Sequence, residues 1–341
     1  MPLRAHVVDC TAMSAEPTFH RVIGVDVGGT KTLAVLADVP VEVGAAPTIL
    51  DRELVPSNAA AAEVLDPIRA AVGALRERSD RPVEGLGVGL AGFIDRAGVV
   101  HKAPNLAGLV GSDVGATLRG ELGVPVTVDN DANCVAVAAH ALLPDLPTCL
   151  VAVTFGTGIG GGIVIDGELL RGGNGFAGEP GHMVIDPDGY PCPCGQRGCW
   201  EQYGSGKGLG RLARDACVRG EAPGVLAHAG GDVEKIRGEH VTDLLDAEDP
   251  GATAIFAEYA GYVALGFANL RVLLDPDVIV IGGGLSAHGD DLLEMVDRAT
   301  AERFPSAVAG RRSRVVVSPG GPDGGAIGAA LLGGRALDRL G

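Results

Sequence analysis

Positive charge is in short supply in this chain: 27 lysines and arginines stand against 43 aspartates and glutamates, a formal net charge of -16. Nucleic acids and anionic membranes are bound through basic surface, so neither is expected as a partner, and any phosphate ligand must be small and held locally. Long apolar runs are missing too. The opening MPLRAHVVDCTAMSAEPTFHR has no apolar core of signal-peptide length, and no later stretch supplies the roughly 20 uninterrupted apolar residues of a membrane span, so a cytoplasmic protein is expected. Cysteine is sparse and odd in number, seven in 341 residues with three clustered, unlike the disulfide framework of a secreted domain. Also absent are the phosphate loop Gly-x-x-x-x-Gly-Lys-Ser/Thr and a dinucleotide fingerprint opening a βαβ unit.

Glycine is plentiful instead: 54 residues, about twice the usual share of roughly 7%. Such a chain has many tight turns, and its length suits two lobes with separate cores. Residues 1–20 show no periodicity and are read as a disordered tail, with Met13 a candidate true start. From Val22 the pattern is strand (VIGVD), glycine turn (VGGTK), strand (TLAVLAD), a β-hairpin with a Gly-Gly-Thr tip. A helix is predicted over AAAAEVLDPIRAAVGALRERS, broken or reset at Pro67; strands GLGVGLAG and VPVTVDND follow, then a helix DANCVAVAAHALL starting on Asp131. At Cys149 the opening pattern returns as strand CLVAVTFG, turn TGIGGG and strand IVIDGELL, which suggests a duplicated α/β unit, one per lobe. A long helix (IFAEYAGYVALGFANLRVLL), strands DVIVIGGGLS and RVVVS and a last helix GGAIGAALLG complete the pattern. With no low-complexity linker between the lobes, a ligand is expected in the cleft they form.

In DVGGTK, Gly28 and Gly29 let backbone amides approach a phosphate, Thr30 offers a hydroxyl, and Asp26 at the strand end can hold Mg²⁺ through water. Taken alone, a plain glycine hairpin with a satisfied aspartate explains the same residues. TFGTGIGGG (Thr154–Gly162) supplies a second such turn, so a triphosphate could be gripped from both lobes, and IGGGLS (Ile281–Ser286) could lie against a base or ribose. In VDNDAN, Asp131 between carboxamides suits holding a sugar and taking a proton from its hydroxyl; equally, Asp131 could cap the helix and Asn130 shape a turn. The positive helix terminus would keep Asp131 ionised. Asn105, in APNL, reads as a turn residue unless other sugar ligands accompany it.

The segment GEPGHMVIDPDGYPCPCGQRGCWEQYGSG (178–206) holds three of the cysteines. Cys192, Cys194 and Cys199, with His182 ten residues earlier, make a Cys3His set of the kind that closes a structural tetrahedral zinc site, with Gly195 and Gly198 bending the loop. A disulfide needs an oxidising compartment and leaves a cysteine over; a redox pair wants Cys-x-x-Cys, not Cys-x-Cys. While one His182 nitrogen binds metal, the other can face a ligand. Glu179 and Glu201 flank the cluster, where each is either carried with it or a surface carboxylate. Cys10, Cys134, Cys149 and Cys217 are read as ordinary small side chains.

Taken in order, GVDVGGTK, VDNDAN, TFGTGIGGG, GEPGH and CPCGQRGCWEQYGSG resemble the ROK family of sugar kinases and repressors, particularly its bacterial ATP-dependent glucokinases. The resemblance implies an α/β, two-lobed actin-like fold (hexokinase-like, ribonuclease H-like): a small lobe over 21–131 to which the final helix, 323–341, returns, and a large lobe over 132–322 with a zinc loop at 179–201. It further implies a first phosphate motif at Asp26, Gly28, Gly29, Thr30 and Lys31, a second at Thr157 and Gly158, and an adenosine loop at Gly283 and Gly284. Sugar hydroxyls would be held by Asn105, Asn130, Asp131, Glu179, His182 and Glu201, with Asp131 the catalytic base; zinc by His182, Cys192, Cys194 and Cys199; Mg²⁺ would come with ATP. Hexose phosphorylation at the 6-hydroxyl, most of all of glucose, and a homodimer are the expectations; fructose, N-acetylglucosamine and N-acetylmannosamine are the alternative sugars. Family repressors carry a helix-turn-helix domain ahead of the same core, and about 21 residues precede the first strand here, too few for one. Pro180 departs from the family's usual aliphatic residue without removing a ligand.

Overall fold

The structure is a computed structural model that describes residues 18–57, 65–103, 106–284, 289–303 and 313–339. The expectations for the tail before residue 18, Met13 included, and for Asn105 lie outside these residues. The chain runs from β1 (Phe19–Val27), β2 (Lys31–Pro40) and β3 (Thr48–Pro56) to α1 (Asp66–Arg78) and β4 (Gly85–Leu90). A small hairpin, β5 (Phe93–Ile94) and β6 (Val100–Lys102), precedes α2 (Val114–Leu122), β7 (Val126–Asn130) and α3 (Asp131–Leu142). Next come β8 (Cys149–Phe155), β9 (Ile159–Ile165) and β10 (Glu168–Leu169), then α4 (Glu201–Gly204), α5 (Gly206–Val218), α6 (Pro223–His228), α7 (Glu239–Thr242) and α8 (Pro250–Leu274). The last elements are β11 (Val278–Gly282), α9 (Gly289–Arg303), β12 (Arg314–Val317) and α10 (Gly324–Asp338).

Two five-stranded sheets share one plan. In the first, β1, β2 and β3 form an antiparallel meander and β4 and β7 extend it in parallel from β1, giving β3-β2-β1-β4-β7. In the second, β8, β9 and β10 repeat the meander and β11 and β12 extend it from β8, giving β10-β9-β8-β11-β12. The suspected duplication is therefore present as topology.

The central strands are apolar on both faces because both are covered. Ile23, Val25 and Val88 pack under α1 and α2, while Val22, Val35 and Ala37 join a core shared with α3 and α10. Val151, Val153 and Ile281 pack beneath α5, α8 and α9, while Leu150, Ala152 and Val280 face α3. Helices α3 and α10 thus lie back to back between the sheets. They come close because side chains are missing at the contacts: a Cβ on Gly24 or Gly87 would collide with the carbonyls of Ala326 or Ala329, and one on Gly328 with that of Cys134. Gly87→Ala is expected to cost about 1–3 kcal/mol through overpacking against a backbone that cannot yield. A urea unfolding midpoint equal to that of the unmutated protein would refute the close approach.

Pro67 stands in the first turn of α1, where its fixed φ is allowed, consistent with the reset expected there, and the part of the predicted helix over 58–64 lies outside the described residues. Other boundaries differ from the sequence reading. The second glycine turn is only Gly156–Gly158, because Ile159 already pairs with Phe155, and the strand after it breaks at Asp166–Gly167, both at positive φ. Strand β3 was missed: its residues alternate exposed and half-buried at the sheet edge, with charged Asp51, Arg52 and Glu53 in place of an apolar run. Among the described residues no helix is long and apolar enough to cross a membrane.

Candidate functional site

A cleft of about 680 Å³ opens where the ends of β4, β7 and β8 meet the segment 179–211. Of the residues singled out from sequence, Asn130, Asp131, Thr157, Gly158, Glu179, His182, Cys192, Cys194, Glu201 and Gly283 line it. Gly28, Gly29, Thr30 and Lys31 form the tip joining β1 to β2 and are not part of that lining; Gly284 follows Gly283 at an exposed position.

Helix α3 starts on Asp131 as expected, and of the two readings left open for that residue, capping the helix is not the one found. Asn130 is the N-cap: its Oδ1 accepts from the amides of Ala132 at 2.8 Å and Asn133 at 3.1 Å, while its Nδ2 donates to the Gly92 carbonyl at 3.1 Å. Asp131 is the first helical residue, its Oδ1 also accepting from the Ala132 amide at 2.9 Å, and it lines the cleft. Burial pushes its carboxyl above the usual range, while the amides of Ala132 and of Asp131 itself pull the other way.

Two further carboxyls share this low-dielectric patch. Glu179 is pushed up to about 7 by burial and by the charges of Asp131 and Glu201. Asp26, at the end of β1, also reaches about 7, through burial first and Asp131 second, with Lys31 opposing. Its carboxylate abuts the first turn of α10, where a Cβ on Gly325 would come within 2.6 Å of it. A carboxyl raised in the fold stabilises while protonated in both states, and that stability is lost as pH rises from its unfolded value toward 7. Asp26→Asn removes the loss. Its stability relative to the unmutated protein is expected to grow between about pH 4 and pH 7 and then level off, by at most on the order of 4 kcal/mol, in urea titrations across that range.

Glu201 joins the second glycine turn to the cysteine segment. Its Oε2 accepts from the Ile159 amide at 3.1 Å, and a Cβ on Gly158 would displace that oxygen from its place. The Gly156 carbonyl accepts from the Gly206 amide at 2.9 Å, which pins the same turn to α5. Gly283, at φ +83°, lies against the Phe155 backbone, where no side chain would fit.

His182 closes a short 3-10 turn, Pro180–His182, and its ring stacks on Phe93 with centroids 5.9 Å apart. The Pro180 ring occupies the space that a side chain at Gly161 would fill, so the two residues pack closely. His182 Nδ1 lies 3.9 Å from Cys192 Sγ, and Cys194 Sγ lies 3.6 Å from Cys199 Sγ; all four donor atoms are within 4.8 Å of one another. Tetrahedral zinc with Zn–S bonds of about 2.3 Å needs ligand separations of about 3.8 Å, so the donor set is compatible with zinc in chemistry and spacing. Gly195 and Gly198, at φ +105° and +68°, turn the loop as expected.

Sequence reasoning missed several residues. Ser57 braces the first glycine turn, donating its hydroxyl to the Gly28 carbonyl at 2.8 Å and its amide to the Thr30 carbonyl at 3.0 Å. Lys102, on β6, reaches across to the Pro193 carbonyl at 3.3 Å. Gln202 donates to Cys192 Sγ at 3.5 Å and is held by Arg211, which donates to its main-chain and side-chain oxygens at 2.7 and 3.1 Å. Only the adjacency of Gln202 to Glu201 was a signal available in the sequence.

Known proteins resemble this chain along most of its length. The sequence model of the ROK family matches residues 22–335. A glucokinase of Streptomyces coelicolor is 33% identical over 91% of this chain and 96% of its own length, and an N-acetylmannosamine kinase of Salmonella paratyphi A is 31% identical over 91% and 97%. A crystal structure of a ROK family glucokinase from Streptomyces griseus, in complex with glucose and AMPPNP, superposes with a TM-score of 0.77 at 34% identity, covering 95% of this chain and all of that one. The chain belongs to the ROK family. Matched along almost its whole length by kinases of that family, it is a sugar kinase.

Proposed function

We propose that the cleft transfers the γ-phosphoryl group of ATP to the 6-hydroxyl of a hexose, with glucose preferred. The observation that carries this reading is Asp131: a desolvated carboxyl at a helix start, in one cleft with Glu179, His182, Glu201 and a glycine turn. A carboxylate whose pKa is raised by burial is a better proton acceptor than a solvated one. Asp131 accepts the proton of the sugar hydroxyl as its oxygen attacks phosphorus. Because phosphoryl transfer passes through a loose transition state, positioning counts for more than basicity. Glu179, Glu201 and the cleft-facing nitrogen of His182 hold the other hydroxyls through charge-assisted hydrogen bonds. Thr157 and Gly158 take the phosphates from one side and the tip at Gly28–Lys31 from the other, with Gly283 and Gly284 against the adenosine. Mg²⁺ arriving with the nucleotide would be held through Asp26 and screens phosphate charge.

His182, Cys192, Cys194 and Cys199 would hold a structural zinc. All four positions of the metal are then filled by protein, so it aims His182 at the sugar and takes no part in the transfer. Residues 21–131 with the final helix form the small lobe and 132–322 the large one; closure of the two excludes water. The active unit is a homodimer.

The similarity to an N-acetylmannosamine kinase supports a second reading of the sugar alone. A panel of glucose, fructose, N-acetylglucosamine and N-acetylmannosamine, each with ATP and with polyphosphate, should give the highest kcat/KM for glucose with ATP. A higher value for an amino sugar overturns the choice of glucose, and no ADP from any sugar overturns the reaction.

A further inference from the structure

A second cavity, of about 330 Å³, lies where the two sheets meet at their edges. It is lined by β7, the loop after β5, β10 with the loop beyond it, and the last turns of α10. Four guanidinium groups, Arg96, Arg171, Arg335 and Arg339, face three carboxylates, Asp95, Asp129 and Glu168, an excess of positive charge in a chain of net charge -16. The carboxylates are already engaged. Asp129 Oδ2 accepts from Arg171 at 2.7 and 2.8 Å and its Oδ1 from Asn133 at 2.7 Å. Glu168 pairs with Arg339 at 3.3 Å, and Asp95 with His101 at 2.8 Å and the amides of its own turn.

Arg335 is different. Its Nη1 donates to the Gly167 carbonyl at 3.1 Å, and no carboxylate among the described residues forms an ion pair with it. Burial draws its pKa below the ordinary guanidinium value; Glu168 opposes this and the charges of Arg171 and Arg339 add to it. Arg96, also without a carboxylate, donates to the Gly172 carbonyl from Nε at 3.2 Å and again from Nη2. Arg96 is exposed, but Arg335 is partly buried, and a guanidinium does not escape burial by losing its proton, so the Arg335 charge calls for an anion.

We propose that this cavity is a second ligand site, for a phosphate monoester whose phosphoryl oxygens are taken by Arg335 with Arg96, Arg171 and Arg339 beside it. The planar fork of arginine suits two phosphate oxygens at once, and the volume is at the small end for metabolite pockets. None of the seven charged residues takes part in the chemistry proposed for the cleft, so the two readings stand or fall separately.

The test is calorimetric titration with inorganic phosphate and, separately, glucose 6-phosphate. The protein is first saturated with glucose and AMPPNP to fill the cleft, at an ionic strength held constant with chloride. One site per chain is expected; R335Q should weaken it at least about tenfold, R339Q and R96Q several-fold each, with turnover unchanged. Equal affinity for the two probes identifies the phosphoryl group as the recognised part, and preference for the sugar phosphate means the rest of the molecule is also read. Heats that chloride alone reproduces, or wild-type affinity in R335Q, overturn the proposal. If R335Q does not fold, wild-type affinity in both R339Q and R96Q overturns it. Arginine-dependent binding in a protein that yields no ADP with any sugar would keep this site and sink the kinase reading.

Discussion

Asp131→Asn is expected to lower kcat by about 10²–10⁴-fold while leaving the dissociation constant for glucose within a few-fold. The carboxamide keeps the shape of the side chain and its place at the start of α3, because the capping is done by Asn130. In the proposed mechanism, what is lost is an acceptor for the hydroxyl proton. Steady-state turnover together with calorimetric sugar binding separates the two effects; a raised KM at normal kcat would reduce Asp131 to a sugar ligand. The substitution also removes a charge that raises both neighbouring carboxyls. Asp26 and Glu179 should therefore titrate lower in the variant, which carboxyl NMR resonances would follow.

The second large effect belongs to the cysteine loop. Cys194→Ser is expected to abolish stoichiometric zinc and, with it, to raise KM for the sugar by about tenfold or more. The coupling is geometric. Cys199 lies two residues before Glu201, and His182 is both a donor of the cluster and a wall of the cleft. Trp200 between them is buried and donates to the Tyr262 carbonyl at 2.8 Å, so a loop that loses its metal disturbs the helix on which Glu201 stands. Metal analysis and KM measured on the same preparation provide the check. Full sugar affinity in a metal-free protein would separate the loop from the site.

The sequence spoke most clearly where one physical constraint acts alone. Apolar runs such as VIGVD and CLVAVTF must be covered on both faces, so they were legible as central strands, and the repeated strand-turn-strand pattern announced the second sheet. The Cys3His spacing was legible because few other chemistries want three thiols and an imidazole together. Strand β3 was not, since an edge strand with Asp51, Arg52 and Glu53 satisfies water as well as a loop does. Neither was the division of roles between Asn130 and Asp131. Both are good caps, and only the geometry of the turn from β7 into α3 decides which oxygen meets the free amides. Ser57 and Lys102 act through carbonyls 29 and 91 positions away in sequence, at separations no local pattern records. The raised carboxyls were missed for a related reason: burial is a property of the assembled cleft, whereas the helix dipole can be read from one element.

The tight seat of α10 on the first sheet also bears on how the protein becomes folded. Gly24 and the Ala326 carbonyl touch across 302 positions of chain. Until that helix arrives, one face of β1, β2 and β4 has Val22, Val35 and Ala37 open to water, so this sheet cannot mature as an independent early unit. Contacts of such range fold slowly. The second sheet and its helical cover, whose partners are closer in sequence, are the better place for folding to start, with the first sheet completed last.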